Sequence, residues 1–348
     1  MKTNFTTFPH KNLKFLALAF FALLLVNCSK NDDDDGPVSY DFKEFENLSE
    51  LPDVADPDPE FAEPDLGTIN DSEATKAMIT DFQDGSGDLS ETTKNNLTTV
   101  GNFADGLNTD VQDEAAALDA AKIEEILNSA ELTGDYAALA AELETLPAEV
   151  AALFPSIAFS ADYNKAQNKS GVVINDLMTD LMSQSGTGPC FEMAKAAYDK
   201  AMEAPIAKRD AQVVTFTTNL NFRLSAVDTR YDDRLDLLSA LTATIAKQIG
   251  VNTNAILDYA ALADEDRKEQ LRTFALLYVV KSSSVIKTFE EEATNLIEDR
   301  KAEETQKVET IKEDKTALAE SNFAAVKAEA DALLTAAYNK CHNQGSGS

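Results

Sequence analysis

The sequence predicts an all-α protein: a small helical domain followed by a long antiparallel two-helix hairpin closed by a disulfide. Three observations lead there. Apolar residues recur at helical spacing over most of the chain. Few strand signals appear, and Gly and Pro fall between the helical windows. Two cysteines, Cys190 and Cys341, bracket two long periodic stretches.

The hairpin rests on register. From Leu220, apolar residues fall at heptad spacing, with Leu224, Tyr231, Leu238 and Ile245 in one row and Leu220, Val227 and Leu241 in the other, which Arg234 interrupts. In the second arm Phe323, Val326, Ala330, Leu333, Ala337 and Cys341 step by three or four along one face. An antiparallel register that puts Cys190 opposite Cys341 also sets Tyr198 against Leu333, Val213 against Leu318, Leu220 against Ile311, Leu235 against Leu296 and Ile245 against Ile286. Each arm of about 55 residues would reach roughly 80 Å. Pro205 should kink the first arm, because it lacks the N–H that the helical ladder needs. Residues 300–307 (RKAEETQK) are polar for a seam, which leaves open a pair of core helices in an ordinary bundle. Thr253 can cap a short helix through Leu262. Leu271 to Val280 is apolar on nearly every face and must be buried, so an apolar knob is expected over residues 251–286.

Residues 1–27 read as a targeting segment. Lys2, Lys11 and Lys14 precede an apolar run from Phe15 to Val26 that is too short for a transmembrane helix. It ends at Cys28 in a box that resembles bacterial lipoproteins, although Asn27 stands where a small residue is usual. The resemblance implies that Cys28 is lipidated and becomes the mature N-terminus. The acidic run Asp32, Asp33, Asp34 and Asp35 resembles the export signal of surface lipoproteins in the Bacteroidota. Acidic residues there signal inner-membrane retention in many other bacteria. The expected location is the outer membrane, lipid-anchored and exposed at the cell surface. Gly345 to Ser348 read as a cloning scar.

Removing 1–27 takes three lysines and no acid, and moves the formal charge from −31 to −34. Phosphate binding needs clustered Lys and Arg, so nucleic acid is excluded as a partner; the charge reads first as a solvated surface. Residues 28–67 are acidic and Pro-bearing, and are expected to form a flexible tether because they cannot bury enough apolar area alone. Phe42, Phe45 and Leu48 could dock locally. Residues 68–187 read as short helices. Ser72 or Asp71 caps the first and Ser90 starts another. A Thr109/Gln112 capping box opens a helix carrying Val111 to Leu127, and Gly134 stops it. Tyr136–Leu146, Ala148–Phe154 and Val172–Met182 follow. Gly186 to Pro189 then breaks the chain before the hairpin, over residues 188–344.

Little chemistry remains. With Cys28 lipidated, Cys190 and Cys341 form an even remainder in an exported chain, which favours a disulfide. His342 is the only histidine after residue 27, which removes Ser-His and Cys-His catalysis, multi-His zinc sites and His-ligated haem, and separates the chain from imelysin-type lipoproteins. No Trp and 7% aromatic residues provide poorly for carbohydrate. Asp81, Asp84, Asp88 and Glu91 form a degenerate calcium loop, in which Thr80 and Phe82 occupy ligand positions; a polar helix–helix turn reads the same residues better. No cofactor and no enzymatic activity are expected. The expected function is an interaction or accessory subunit of an outer-membrane protein complex, with the hairpin as spacer or docking arm. The alternative is a helical ligand-binding lipoprotein with an apolar pocket between the small domain and residues 271–280.

Overall fold

The computed structural model describes residues 40–84, 89–109, 111–159 and 188–344. The expected signal segment, Cys28, Asp32 to Asp35, the Val172–Met182 helix and the scar lie outside them.

The framework is two helices of unusual length. α7 runs Pro189–Ala260 and α8 runs Glu265–Gln344. At 1.5 Å per residue each spans somewhat over 100 Å, well beyond the expected 80 Å. The arms are longer because no separate crossover helix exists. Thr253 lies inside α7, where its hydroxyl donates to the Ile249 carbonyl. Four residues, 261–264, make the turn. Asp264 then caps α8 by accepting from the Arg267 amide. Pro189 opens α7, where a missing N–H costs nothing. Pro205 sits buried inside α7, and the helix continues through it; one absent ladder bond among so many is absorbed by packing on both sides.

Cys190 and Cys341 are bonded, with Cα atoms 5.7 Å apart. The cross-helix contacts along the arms stay within one turn of the register those cysteines set. Tyr198 donates to Asp331 (2.8 Å), Arg209 lies over Phe323, Lys301 pairs with Asp228 (2.9 Å), and Asn252 donates to Tyr278 (3.2 Å).

The seam itself departs from the expected heptads. Ala194, Pro205, Phe216, Val227, Leu238, Ile249 and Ala260 are all buried, and successive members are eleven residues apart. On α8 the matching row is Ala275, Ile286, Ile297, Val308, Ala319, Ala330 and Cys341, again at intervals of eleven. Eleven residues in three turns is about 3.67 per turn, close to the natural 3.6, so a long pair keeps contact with little supercoiling. A heptad row drifts off such a seam. Leu241, assigned to one, is 45% exposed.

The small domain packs against the hairpin tip. Helices α1 (Glu73–Gln83), α2 (Glu91–Ala104), α3 (Gln112–Ala117), α4 (Ala120–Asn128), α5 (Gly134–Glu142) and α6 (Ala148–Ala151) wrap that end. Ser72 and Ser90 cap α1 and α2 as expected. The single helix expected from Val111 to Leu127 is two. Leu118 leaves the helical conformation, and Asp119 caps α4. Thr109 makes no capping box and instead donates to Glu142. Gly134 starts α5 rather than ending α4, at φ 58°. Two short strands, β1 (Thr68–Asn70) and β2 (Ser156–Ala158), pair antiparallel with Ile69 opposite Ile157. Gly67 feeds β1 at φ 80°, where a side chain would run into the Ala158 carbonyl.

Leu271 to Val280, the expected knob, covers chiefly the third and fourth turns of α8, and the domain buries it. Phe274, Leu276, Leu277 and Val280 share one core with Met78, Leu97, Val100, Ile123, Ile126 and Leu139. The Arg272 fork donates to the carbonyls of Ala115, Ala116 and Leu118 where α3 ends.

The hairpin is thus held by the domain core at its tip and by a covalent bond at its base. Reduction, or Cys190→Ser, is expected to remove about 4–5 kcal/mol in the chain-entropy model of a loop this long. Amide exchange should accelerate near Tyr198 and Leu333 and stay slow near Ile245. Equal acceleration at both ends would contradict this division of labour.

Candidate functional site

The expected flexible tether is, from Tyr40 onward, an ordered strap laid along the groove between α7 and α8. A five-residue 3-10 turn, Lys43–Asn47, seats Phe45 at the base, edge-on to Tyr198 with ring centroids 6.3 Å apart. Glu44 pairs with Lys340 there (2.7 Å). The chain then extends toward the tip, parallel to α7. Leu51 is buried, Gln212 donates to the Pro52 carbonyl (2.9 Å), and Lys208 pairs with Asp53 (2.8 Å).

The centre of the strap answers Arg223. This guanidinium donates to an Asp56 carboxylate oxygen (2.8 Å), the Asp56 carbonyl (3.0 Å) and Asp58 (2.9 Å). Asn219 donates to the other Asp56 oxygen (2.8 Å). The side chains of Arg223 and Asp56 are 5% and 6% exposed. Burial works against the charge on Arg223; the hydrogen bonds to Asp56 and Asp58 more than offset it and hold its pKa above the ordinary arginine value.

Farther along, Phe61 lies between two cations. Arg230 is 5.0 Å and Lys307 4.9 Å from its ring centroid, and Lys307 also donates to the Glu60 carbonyl (3.1 Å). Arg230 reaches across the seam to the buried carboxylate of Glu304. Arg234, which breaks the apolar row in the sequence, is bound by Glu63 and stacks 4.4 Å over Tyr231. The polar stretch 300–307 is therefore the side of the groove that receives the strap.

Of the calcium-loop residues, Asp81 is spent on capping α2, accepting from the hydroxyls of Ser90 and Thr93; Asp84 ends α1, Glu91 pairs with Lys94, and Asp88 lies outside the described residues. Among the described residues no group of three or more His, Cys, Asp or Glu side chains is arranged to hold a metal. The apolar pocket expected beside residues 271–280 is filled by the domain's own side chains. The concavity left there, about 560 Å³, is edged by Thr98, Asn102, Asp105, Gln112, Asp266 and Gln270, a polar lining. No described helix is long and apolar enough to cross a membrane.

The residues that organise this site were visible as anomalies. Arg223 and Arg234 stand on the apolar side of an otherwise regular helix, and that misfit was the available signal for a third element.

No protein-family model, curated protein or solved structure matches the chain.

Two outcomes test the strap. Asp56→Ala takes from Arg223 its one buried carboxylate, leaving only the exposed Asp58 and the residue-56 carbonyl, and is expected to cost about 3 kcal/mol in denaturant unfolding. Asp58→Ala removes a carboxylate whose side chain is 77% exposed and should cost under about 1 kcal/mol. Equal effects would remove Asp56 as the anchor. Acidification is the second test. The hydrogen bond from Lys340 lowers the Glu44 pKa, and that from Lys208 lowers the Asp53 pKa. Stability from groups with lowered native pKa is full above the ordinary carboxylate range, near pH 4, and is lost as pH falls through it to the native values. Amide exchange over residues 44–53, corrected for its intrinsic pH dependence, should rise in that window while Ile286 stays protected.

Proposed function

We propose that this chain is a non-catalytic surface lipoprotein, an accessory subunit of an outer-membrane protein complex, whose hairpin is a spacer that holds the small domain away from the membrane. The observation that carries this reading is the direction of the strap. Glu44 and Phe45 sit at the disulfide end of the hairpin, beside Lys340 and Tyr198. The small domain sits at the other end, around α8 residues Leu271 to Val280.

Cys28 lies twelve residues before Tyr40, so a lipid on it would keep the base within about 40 Å of the bilayer surface. The tip, with its polar helices, would then stand about 100 Å farther out. A spacer of this kind needs bending resistance, and its parts are suited to that: long unbroken helices, a filled seam, and a strap bound through a buried ion pair. The chemistry of the side chains supports a docking role over a catalytic one. The acids described above are engaged in capping and ion pairs, and the net charge of −31 disfavours nucleic acid and anionic lipid.

Protease added to intact cells is expected to digest the protein, and Cys28→Ala to release it from the membrane fraction. Full protection in intact cells would remove surface display. Retention of Cys28→Ala on the membrane would remove the lipid anchor.

A further inference from the structure

The outer face of α7 has the make-up of a second seam. The large apolar residues exposed on the hairpin fall almost entirely on α7, with Leu318 the exception on α8. Phe222 and Leu237 are 71% and 70% exposed. Around Phe222 the exposed residues are small, Ala204, Ala211, Thr215, Ala226 and Thr229, and toward Leu237 they are acidic, Asp228, Asp232, Asp233 and Asp236. From Ala211 to Val227 the only charged side chain is Arg223, which the strap has already claimed, in a chain that is 26% charged. A solvated helix face of seventeen residues without a free charge has no solubility rationale.

The spacing carries the argument further. Thr215, Ala226 and Leu237 are eleven residues apart, as are Ala211, Phe222 and Asp233. That is the repeat by which α7 seats α8. These positions therefore form a row that slants only slightly to the helix axis, against which another helix can lie in the same geometry. Small residues allow close approach, and Phe222 and Leu237 stand as knobs at either end of a concavity of about 560 Å³, which Ala226, Asp233, the strap's Glu63 and two arginines already bound by acids, Arg230 by Glu304 and Arg234 by Glu63, also line.

Charge selects the occupant. Asp233 lies in the row and Asp236 beside it, both exposed and without an ion pair among the described residues. A second copy would add carboxylates to carboxylates, on a chain already at −31. We infer that this face docks an amphipathic helix of a partner protein, with an apolar stripe set between Phe222 and Leu237 and a Lys or Arg set against Asp233 and Asp236. The inference rests on the reading of the chain as a docking subunit and names the surface that docks.

The test is photo-crosslinking in cells that make the full-length chain. p-Benzoylphenylalanine replaces Phe222, Leu237 or, as a control at the tip, Leu262. Adducts at 222 and 237 are expected to contain a peptide of another protein, amphipathic at helical spacing and bearing Lys or Arg. Asp233→Lys should lower their yield about threefold, since like charges at an interface slow association. An adduct between two copies of the chain, an adduct with its own residues 160–187, or no adduct at 222 and 237 would each overturn the inference. Adducts at 262 alone would move the docking surface to the tip and leave the accessory-subunit reading standing. No adduct at any position, with no co-purifying protein, would remove both.

Discussion

A two-helix hairpin has only one seam, and at this length that seam cannot be both continuous and self-sufficient. Arg223 shows how the constraint is met. A guanidinium at a nearly buried position costs several kcal/mol unless its donors are answered. Neither α7 nor α8 answers them. Asp56 does, with its carboxylate and its carbonyl, from a segment more than 160 residues earlier in the chain. The hairpin is thus a three-stranded object through its lower half, two helices and an extended strap, and the strap lies where the seam turns polar.

The reverse dependence is as strong. Residues 40–67 cannot fold alone, and composition says so correctly. What composition does not see is that a segment can borrow a core. Phe45 borrows Tyr198, Ala194 and Ala337; Phe61 borrows the faces of two cations. The acids that make the segment look like a solvated tether are the partners of Lys208, Arg223, Arg234 and Lys340. Local composition measures what a stretch brings to a fold, not what it finds there.

Much of the architecture was legible because cysteine positions and helical periodicity are both long-range statements. Two sulfurs fixed a register that holds from Phe191 to Tyr278. The period was misread. Over a short window Leu224, Tyr231 and Leu238 satisfy seven, and only a row followed from Ala194 to Ala260 brings out eleven. The crossover was misread for a related reason. Thr253 is a good cap by type, but an unbroken apolar register through Ile249, Ile256 and Ala260 overrides one residue's preference. At the tip, the burial of Leu271 to Val280 followed from its all-round apolarity, yet nothing local said that the domain would fill the apolar space and leave a concavity edged by polar side chains. Pairings such as Arg272 with the end of α3 depend on how separate helices meet, which no single-stretch pattern encodes.

The strap and the outer face of α7 are not independent. Glu63 binds Arg234 from the strap side and lines the concavity between Phe222 and Leu237. Arg234 borders the same concavity and stacks on Tyr231, whose ring is wholly inside the seam. One turn of α7 therefore connects the inner seam, the strap and the exposed row. An arm made only of two helices would have had to spend this turn on sealing itself. Because the strap supplies the counter-charge from outside, α7 keeps its inner side for α8 and carries no charge on its outer side from Ala211 to Phe222. The eleven-residue repeat helps that economy over the whole length, since its roughly 3.67 residues per turn lie closer to the helix's own period than a heptad's 3.5 and its faces wind more slowly. A heptad pair would wind its faces faster, and over arms of this length the outer row would turn farther around the axis.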